Sequence, residues 1–116
     1  MGYESRVIIA RKGVIEGYAE TIAEFNMCDT DGEFIDLFDK EYKGNFYDFY
    51  EGNTPIKEDK YGKPLKYATF DKVYKWLLNN VRDKRYHRYD LLLGAMNVVR
   101  TGWYDYKDFI VIHYGY

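Results

Sequence analysis

Residues 69–114 read TFDKVYKWLLNNVRDKRYHRYDLLLGAMNVVRTGWYDYKDFIVIHY. Two helical periods and then a strand period follow one another, and that order decides the fold class. Phe70, Val73, Tyr74, Leu77 and Val81 recur at helical spacing, with Trp76 on the border of the stripe. Thr69 precedes them as an N-cap, its hydroxyl placed to accept from an amide of the first turn. Asn79-Asn80 predicts fraying at that point. A second helix is predicted over residues 86–100, with Tyr89, Leu92, Ala95, Met96 and Val99 as its stripe and Gly102 as its stop. Gly94 inside it costs about 1 kcal/mol relative to alanine, which predicts a close helix contact there. Residues 108–114 have the β-branched, apolar pattern of a buried strand, expected to be central or well covered.

Upstream of residue 69 the pattern is mostly strand. Residues 3–11 carry Val7, Ile8 and Ile9 and stop at Lys12-Gly13; three consecutive apolar residues predict a strand partly covered on both faces. Residues 20–28 alternate. Ala19, Thr21, Ala23, Phe25 and Met27 would share one face, Glu20, Glu24 and Asn26 the other, with Ile22 the exception. Residues 13–17 would join the two as an antiparallel pair. Thr30 and Glu33 have capping-box spacing, and Phe34, Leu37, Phe38 and Tyr42 follow as one helical stripe, with Gly44 as C-cap. Residues 45–51 form a third strand candidate, broken by the Gly-Asn-Thr-Pro of residues 52–55. Residues 57–64 are polar with a turn at Gly62, and residues 65–68 make a short fourth strand. The sum is one α+β domain over residues 1–116. It has a single antiparallel or mixed sheet of four to five strands, with about three helices packed mainly on one face.

Charge is distributed less evenly than the net of -2 suggests. Residues 29–51, DTDGEFIDLFDKEYKGNFYDFYE, hold eight carboxylates against two lysines, so the flanks sum to +4. Near-neutral net charge gives no generic pull on nucleic acid or anionic membrane. Aromatic content is 20%, and 14 of the rings are tyrosines, a residue common at interfaces because its body is apolar and its tip polar. Cys28 is the only cysteine, which excludes an internal disulfide and a cysteine-based zinc site and fits a reducing compartment. The apolar run at residues 7–10 is too short for a signal peptide or a membrane span. These features lead to the expectation of a cytosolic protein with no membrane association and no cofactor.

Candidate chemistry is sparse. Asp29-Thr30-Asp31-Gly32 resembles the middle of an EF-hand loop, but aligning Gly32 at the sixth position places Met27 and Phe38 where oxygen ligands are required. No metal site is therefore expected. Cys28 and His113 are the only entry to nucleophilic catalysis, and no local motif marks either. His87 reads as a solvated helix-start residue, and the glycines have no phosphate-loop spacing. The run Arg82, Lys84, Arg85, Tyr86, Arg88 and Tyr89 can serve as a small anion or nucleotide site, guanidiniums forking onto phosphate and rings stacking on a base. The competing account is a solvated helix–helix connection. In the acidic stretch, Asp36, Asp39, Glu41, Tyr47, Asp48 and Tyr50 form a candidate contact face for a protein partner, carboxylates engaging a basic groove and rings supplying anchors. The competing account there is a solvated helix face over a core stripe of Phe34, Leu37 and Phe38. A homodimer through an aromatic strand face is also open.

The opening MGYESRVII, and GNTPIKEDKYGKPL at residues 52–65, resemble patterns in small bacteriophage and prophage accessory proteins. The two segments cover about a fifth of the chain. The resemblance implies a phage protein made in a bacterial cytoplasm that blunts a host defence or redirects a host enzyme by binding. It carries over no catalytic residue. The expectation is a non-enzymatic binder that blocks a host protein, with a nucleotide or short nucleic-acid binder as the alternative.

Overall fold

A computed structural model describes residues 5–12, 18–27, 30–42, 45–47, 55–56, 65–102 and 105–115; of 18–19, 45–47, 55–56 and 115 it describes the backbone alone. The chain runs β1 (Ser5–Lys12), β2 (Tyr18–Asn26), α1 (Gly32–Ile35), β3 (Lys40–Glu41), β4 (Asn45–Tyr47), β5 (Pro55–Ile56), β6 (Lys66–Thr69), α2 (Phe70–Lys84), α3 (His87–Thr101), a 3-10 turn (Tyr106–Asp108) and β7 (Phe109–Gly115). One mixed sheet has the order β3-β6-β7-β1-β2-β4-β5, with β2–β4 its parallel pair. Strands β1, β2, β6 and β7 make its body, and the two- and three-residue strands extend its edges. The α+β class is as the sequence predicts.

Strand β7 is central, between β6 and β1, and both faces of the β1/β7 pair are covered. Val7, Ile9, Phe109 and Val111 face the helices, where Phe34, Phe38, Phe70, Val73, Leu77, Tyr89, Leu92 and Met96 complete the main core. Ile8, Ala10, Ile110, Ile112 and Tyr114 face away from them and form a smaller cluster with Leu65, Tyr42 and Tyr67. Burial of each large side chain contributes about 2 kcal/mol. In the sheet order Glu41 and Asn45 belong to strands five steps apart, about 24 Å in a flat sheet. Four chain steps reach at most about 14 Å. The sheet is therefore strongly coiled, which draws β3 and β4 closer than their places in the order suggest.

The irregular residue in β2 has a physical cause. Ile9 pairs with Ala23 and Ala10 with Thr21, so Ile22 is the extra residue of a β-bulge. The bulge corrects the expected single face. Ala23 shares the helix side with Ile9, and Thr21 shares the other side with Ala10. Ile22 packs against the main core despite breaking the alternation.

The helices agree in part with expectation. Thr69 caps α2, its Oγ1 accepting from the Lys72 amide at 3.3 Å. Phe70, Val73, Tyr74 and Leu77 are buried as predicted. Asn79-Asn80 does not fray the helix: α2 runs on to Lys84, and Asn80 Nδ2 donates to the Trp76 carbonyl at 2.8 Å. The helix predicted from Thr30 is a single turn. Its N-cap is Asp31, with no side-chain cap bond, and it stops at Ile35 because the chain next enters the sheet edge as β3. Tyr42 consequently leaves the Phe34/Phe38 stripe for the opposite cluster. The predicted close contact at Gly94 is not formed: a Cβ there would meet nothing within 4 Å. At Gly102 a Cβ would stand 2.9 Å from the Val98 carbonyl oxygen, which suits glycine at the end of α3. Cys28, Asp29, Gly44, Asp48, Tyr50 and residues 13–17, 48–54 and 57–64 lie outside the described residues.

Candidate functional site

The acidic stretch and the basic turn, separate in sequence, meet in the fold. Residues 31–39 lie along α2. At one end Lys84 Nζ stands 3.5 Å from Asp31 Oδ1 and 3.7 Å from Glu33 Oε2. At the other, Lys72 Nζ stands 3.1 Å from Asp39 Oδ2. The hydrogen bond from Lys72, aided by its charge, holds the Asp39 carboxyl below the usual carboxylate range. Phe34 anchors the segment between these ends, its ring in edge or tilted contact with Phe38, Trp76 and Tyr89. The charge split therefore partly closes on itself.

Three of the six basic-turn candidates work inside the fold. Tyr89 is buried, and its hydroxyl donates to Asp31 Oδ2 and accepts from the Asp31 amide, each at 2.9 Å. Burial is the main cause that pushes its phenol well above the ordinary tyrosine range. Arg88 donates to the Asn26 carbonyl at the end of β2, and Lys84 is engaged as above. Tyr86 is half-buried, edge-on to Tyr89 at 5.0 Å. Arg82 and Arg85 remain exposed, and neither forms an ion pair among the described residues. Arg85 holds the left-handed conformation, φ 50°, that ends α2. The turn is mainly a structural joint, with two guanidiniums left facing water.

The acidic candidates divide. Asp36, Asp39 and Glu41 are exposed along the segment that ends in β3, an edge of the sheet. Asp39 keeps 57% of its side chain in solvent despite its lysine. Tyr42 donates its amide to the Leu65 carbonyl at 2.7 Å, so alternation in the ladder turns the Glu41 backbone groups outward. Tyr47 lies in β4, near the far edge, where only its backbone is described; Asp48 and Tyr50 lie outside the described residues.

The sequence reading missed one pairing. Ser5 Oγ and His113 Nε2 are 3.0 Å apart, both side chains buried, with the Phe38 ring 5.3 Å from the imidazole. A hydroxyl on an imidazole is a nucleophile–base geometry, but here it is sealed in the main core and ties the ends of β1 and β7. No short-range motif signals it, because the two residues are 108 apart. Cys28, the other half of the pair considered from sequence, is outside the described residues. Among the described residues no group of three or more His, Cys, Asp or Glu is placed to hold a metal ion. No helix among them is long and apolar enough to cross a membrane. No protein-family model matches the chain, and comparison with curated proteins and with solved structures gives no significant match.

Proposed function

We propose that the protein is a non-enzymatic accessory protein of a phage or mobile element that binds and blocks a host protein, in the cytoplasm of a bacterial host. The contact runs along the acidic edge at Asp36, Asp39 and Glu41, with Tyr47, Asp48 and Tyr50 extending it. The observation that supports this reading is the combination at β3: exposed carboxylates beside outward-facing backbone groups on a sheet edge. Such an edge can take a partner's backbone while its charges select a basic surface. The proposed mode of action is occupation, so it requires no cofactor. The test is capture from a bacterial lysate by the tagged protein, with and without nuclease. One protein retained stoichiometrically after nuclease treatment is the expected result. Retention of nucleic acid or nucleotide alone would overturn it.

A second reading keeps one specific support. Arg82 and Arg85 face water beside the start of α3, whose N-cap Tyr86 offers no side-chain cap bond. A helix start next to guanidiniums suits a small anion. Affinity for a nucleotide or oligonucleotide at this site would fall as salt rises, and a titration without salt response would remove the reading.

A further inference from the structure

The hydroxyl of buried Tyr74, on α2, has two partners on α3: Asn97 Oδ1 at 2.6 Å and Arg100 Nη1 at 3.1 Å. A guanidinium only donates, so the phenol oxygen accepts from Arg100 and its single proton goes to Asn97. That proton fixes the Asn97 amide with its oxygen toward Tyr74 and its NH2 group away from it. The Arg100 guanidinium is fixed as well. Its centre lies 4.8 Å from the Tyr74 ring centroid and 5.8 Å from that of Tyr106, so two rings hold it in place. Only Nη1 is used on the phenol, which leaves the Nε–Nη2 edge as an intact two-pronged donor. Asn97 and Arg100 stand three residues apart on one helical face, so their remaining donors adjoin. Both side chains are exposed, and Arg100 forms no ion pair among the described residues. Asp71 is paired with Lys75 at 2.8 Å, and Asp105, beside Tyr106, accepts from the Lys107 amide at 3.0 Å, so neither answers Arg100.

We propose that Asn97 and Arg100 form a site for one small oxyanion, a carboxylate or phosphate group. Arg100 takes two of its oxygens on the Nε–Nη2 fork, and Asn97 Nδ2 donates a further bond. Fork geometry of this kind matches planar carboxylate and phosphate edges. Tyr74 acts through both residues as a positioning residue: its one hydroxyl turns the acceptor of Asn97 inward and leaves a surface made of donors. An acceptor-only ligand fits that surface, and a cation or a donor does not. The site lies where the early turns of α2 meet the last turns of α3, so opposite helix-dipole ends adjoin and the negative end of α3 is offset. Exposure keeps the affinity low, with a dissociation constant on the order of 10 mM for a lone anion. The site is distinct from the acidic edge at β3, and it stands at the other end of α3 from Arg82 and Arg85.

Titration of the full chain with inorganic phosphate and, separately, with acetate at constant ionic strength tests the proposal. The readout is the NMR shift of the Asn97 side-chain NH2 and the Arg100 Nε–H. The expected result is a saturable shift at both, in the range of about 10 mM. A larger response to phosphate marks a phosphoryl ligand and a larger response to acetate a carboxylate, and either supports the site. Arg100→Gln, and Asn97→Asp, which sets a carboxylate beside Arg100, should each weaken binding at least fivefold; both positions are exposed, and an unchanged circular dichroism spectrum checks the fold. Tyr74→Phe releases the Asn97 amide, so the Asn97 response should fall while that of Arg100 persists, a split that a general loss of packing would not produce. No saturable shift with either anion up to about 100 mM overturns the proposal. A wild-type-like Asn97 response in Arg100→Gln also overturns it, because the anion then binds elsewhere.

Discussion

Tyr89 shows how one side chain can join distant parts of the chain. Its hydroxyl satisfies both the amide and the carboxylate of Asp31, 58 residues away. Tyr89→Phe removes that acceptor and donor together and leaves the Asp31 amide without its partner, at a cost of about 1–3 kcal/mol in urea unfolding. The phenol also links stability to alkaline pH. Its folded value is raised above the unfolded one of about 10. The stability it contributes is therefore complete below about pH 10 and is lost as pH rises through the folded value. Tyr42, pushed up by burial, acts in the same direction. A pH titration of unfolding should show wild type weakening above about pH 10 and Tyr89→Phe weakening less steeply. Equal slopes would contradict this account. Gly94 makes the opposite prediction: Gly94→Ala, measured on dilute protein, stabilises by about 1 kcal/mol, because the site is open and helical.

Among the elements, α2 and α3 were legible because each carries an uninterrupted stripe, α2 behind its Thr69 cap and α3 ahead of its Gly102 stop. The α2–α3 joint was less so. Asparagines at 79 and 80 are poor helix formers, yet Asn80 finds a backbone carbonyl one turn back and the helix continues to Lys84. Arg85 then holds a left-handed conformation that favours glycine. Arg85→Gly should raise stability by about 1 kcal/mol in the same urea assay; a loss would show that the side chain does more than tolerate the turn. The α1 region was misread for a different reason. The spacing of Phe34, Leu37, Phe38 and Tyr42 fits a helix, but pairing of Lys40 and Glu41 with β6 competes for the same residues and wins. The β2 alternation likewise held a signal in its one exception, since Ile22 marks the bulge. Local period cannot report pairings that depend on strands far along the chain.

For the whole molecule, the sequence carried the α+β class but not the closure of the charge split. Lys72 and Lys84 approach the acidic segment only because α2 packs beside it, and no sequence window contains both. Of eight carboxylates read as one stretch, the described ones divide into inward-engaged Asp31 and outward Asp36, Asp39 and Glu41, with Glu33 shared between Lys84 and solvent. The basic turn resolves the same way, into working Lys84 and Arg88 and outward Arg82 and Arg85. The sheet coiling required by the short Glu41-to-Asn45 link brings the β3 edge and β4 toward one another, so the two parts of the candidate contact face can serve one partner. Asp39 adds a mild acid dependence. Its lowered carboxyl contributes stability that is present above about pH 4 and lost as pH falls through its folded value.

The most direct test of the acidic-edge account compares capture of the retained host protein by wild type and by Asp36→Lys/Asp39→Lys/Glu41→Lys, with Arg82→Glu/Arg85→Glu as the control. All five positions are exposed, so circular dichroism and the unfolding midpoint should stay close to wild type. The account predicts that the triple variant loses the protein by at least tenfold while the control retains it. Retention by the triple variant, or loss by the control alone, would contradict the assignment of the contact to this edge.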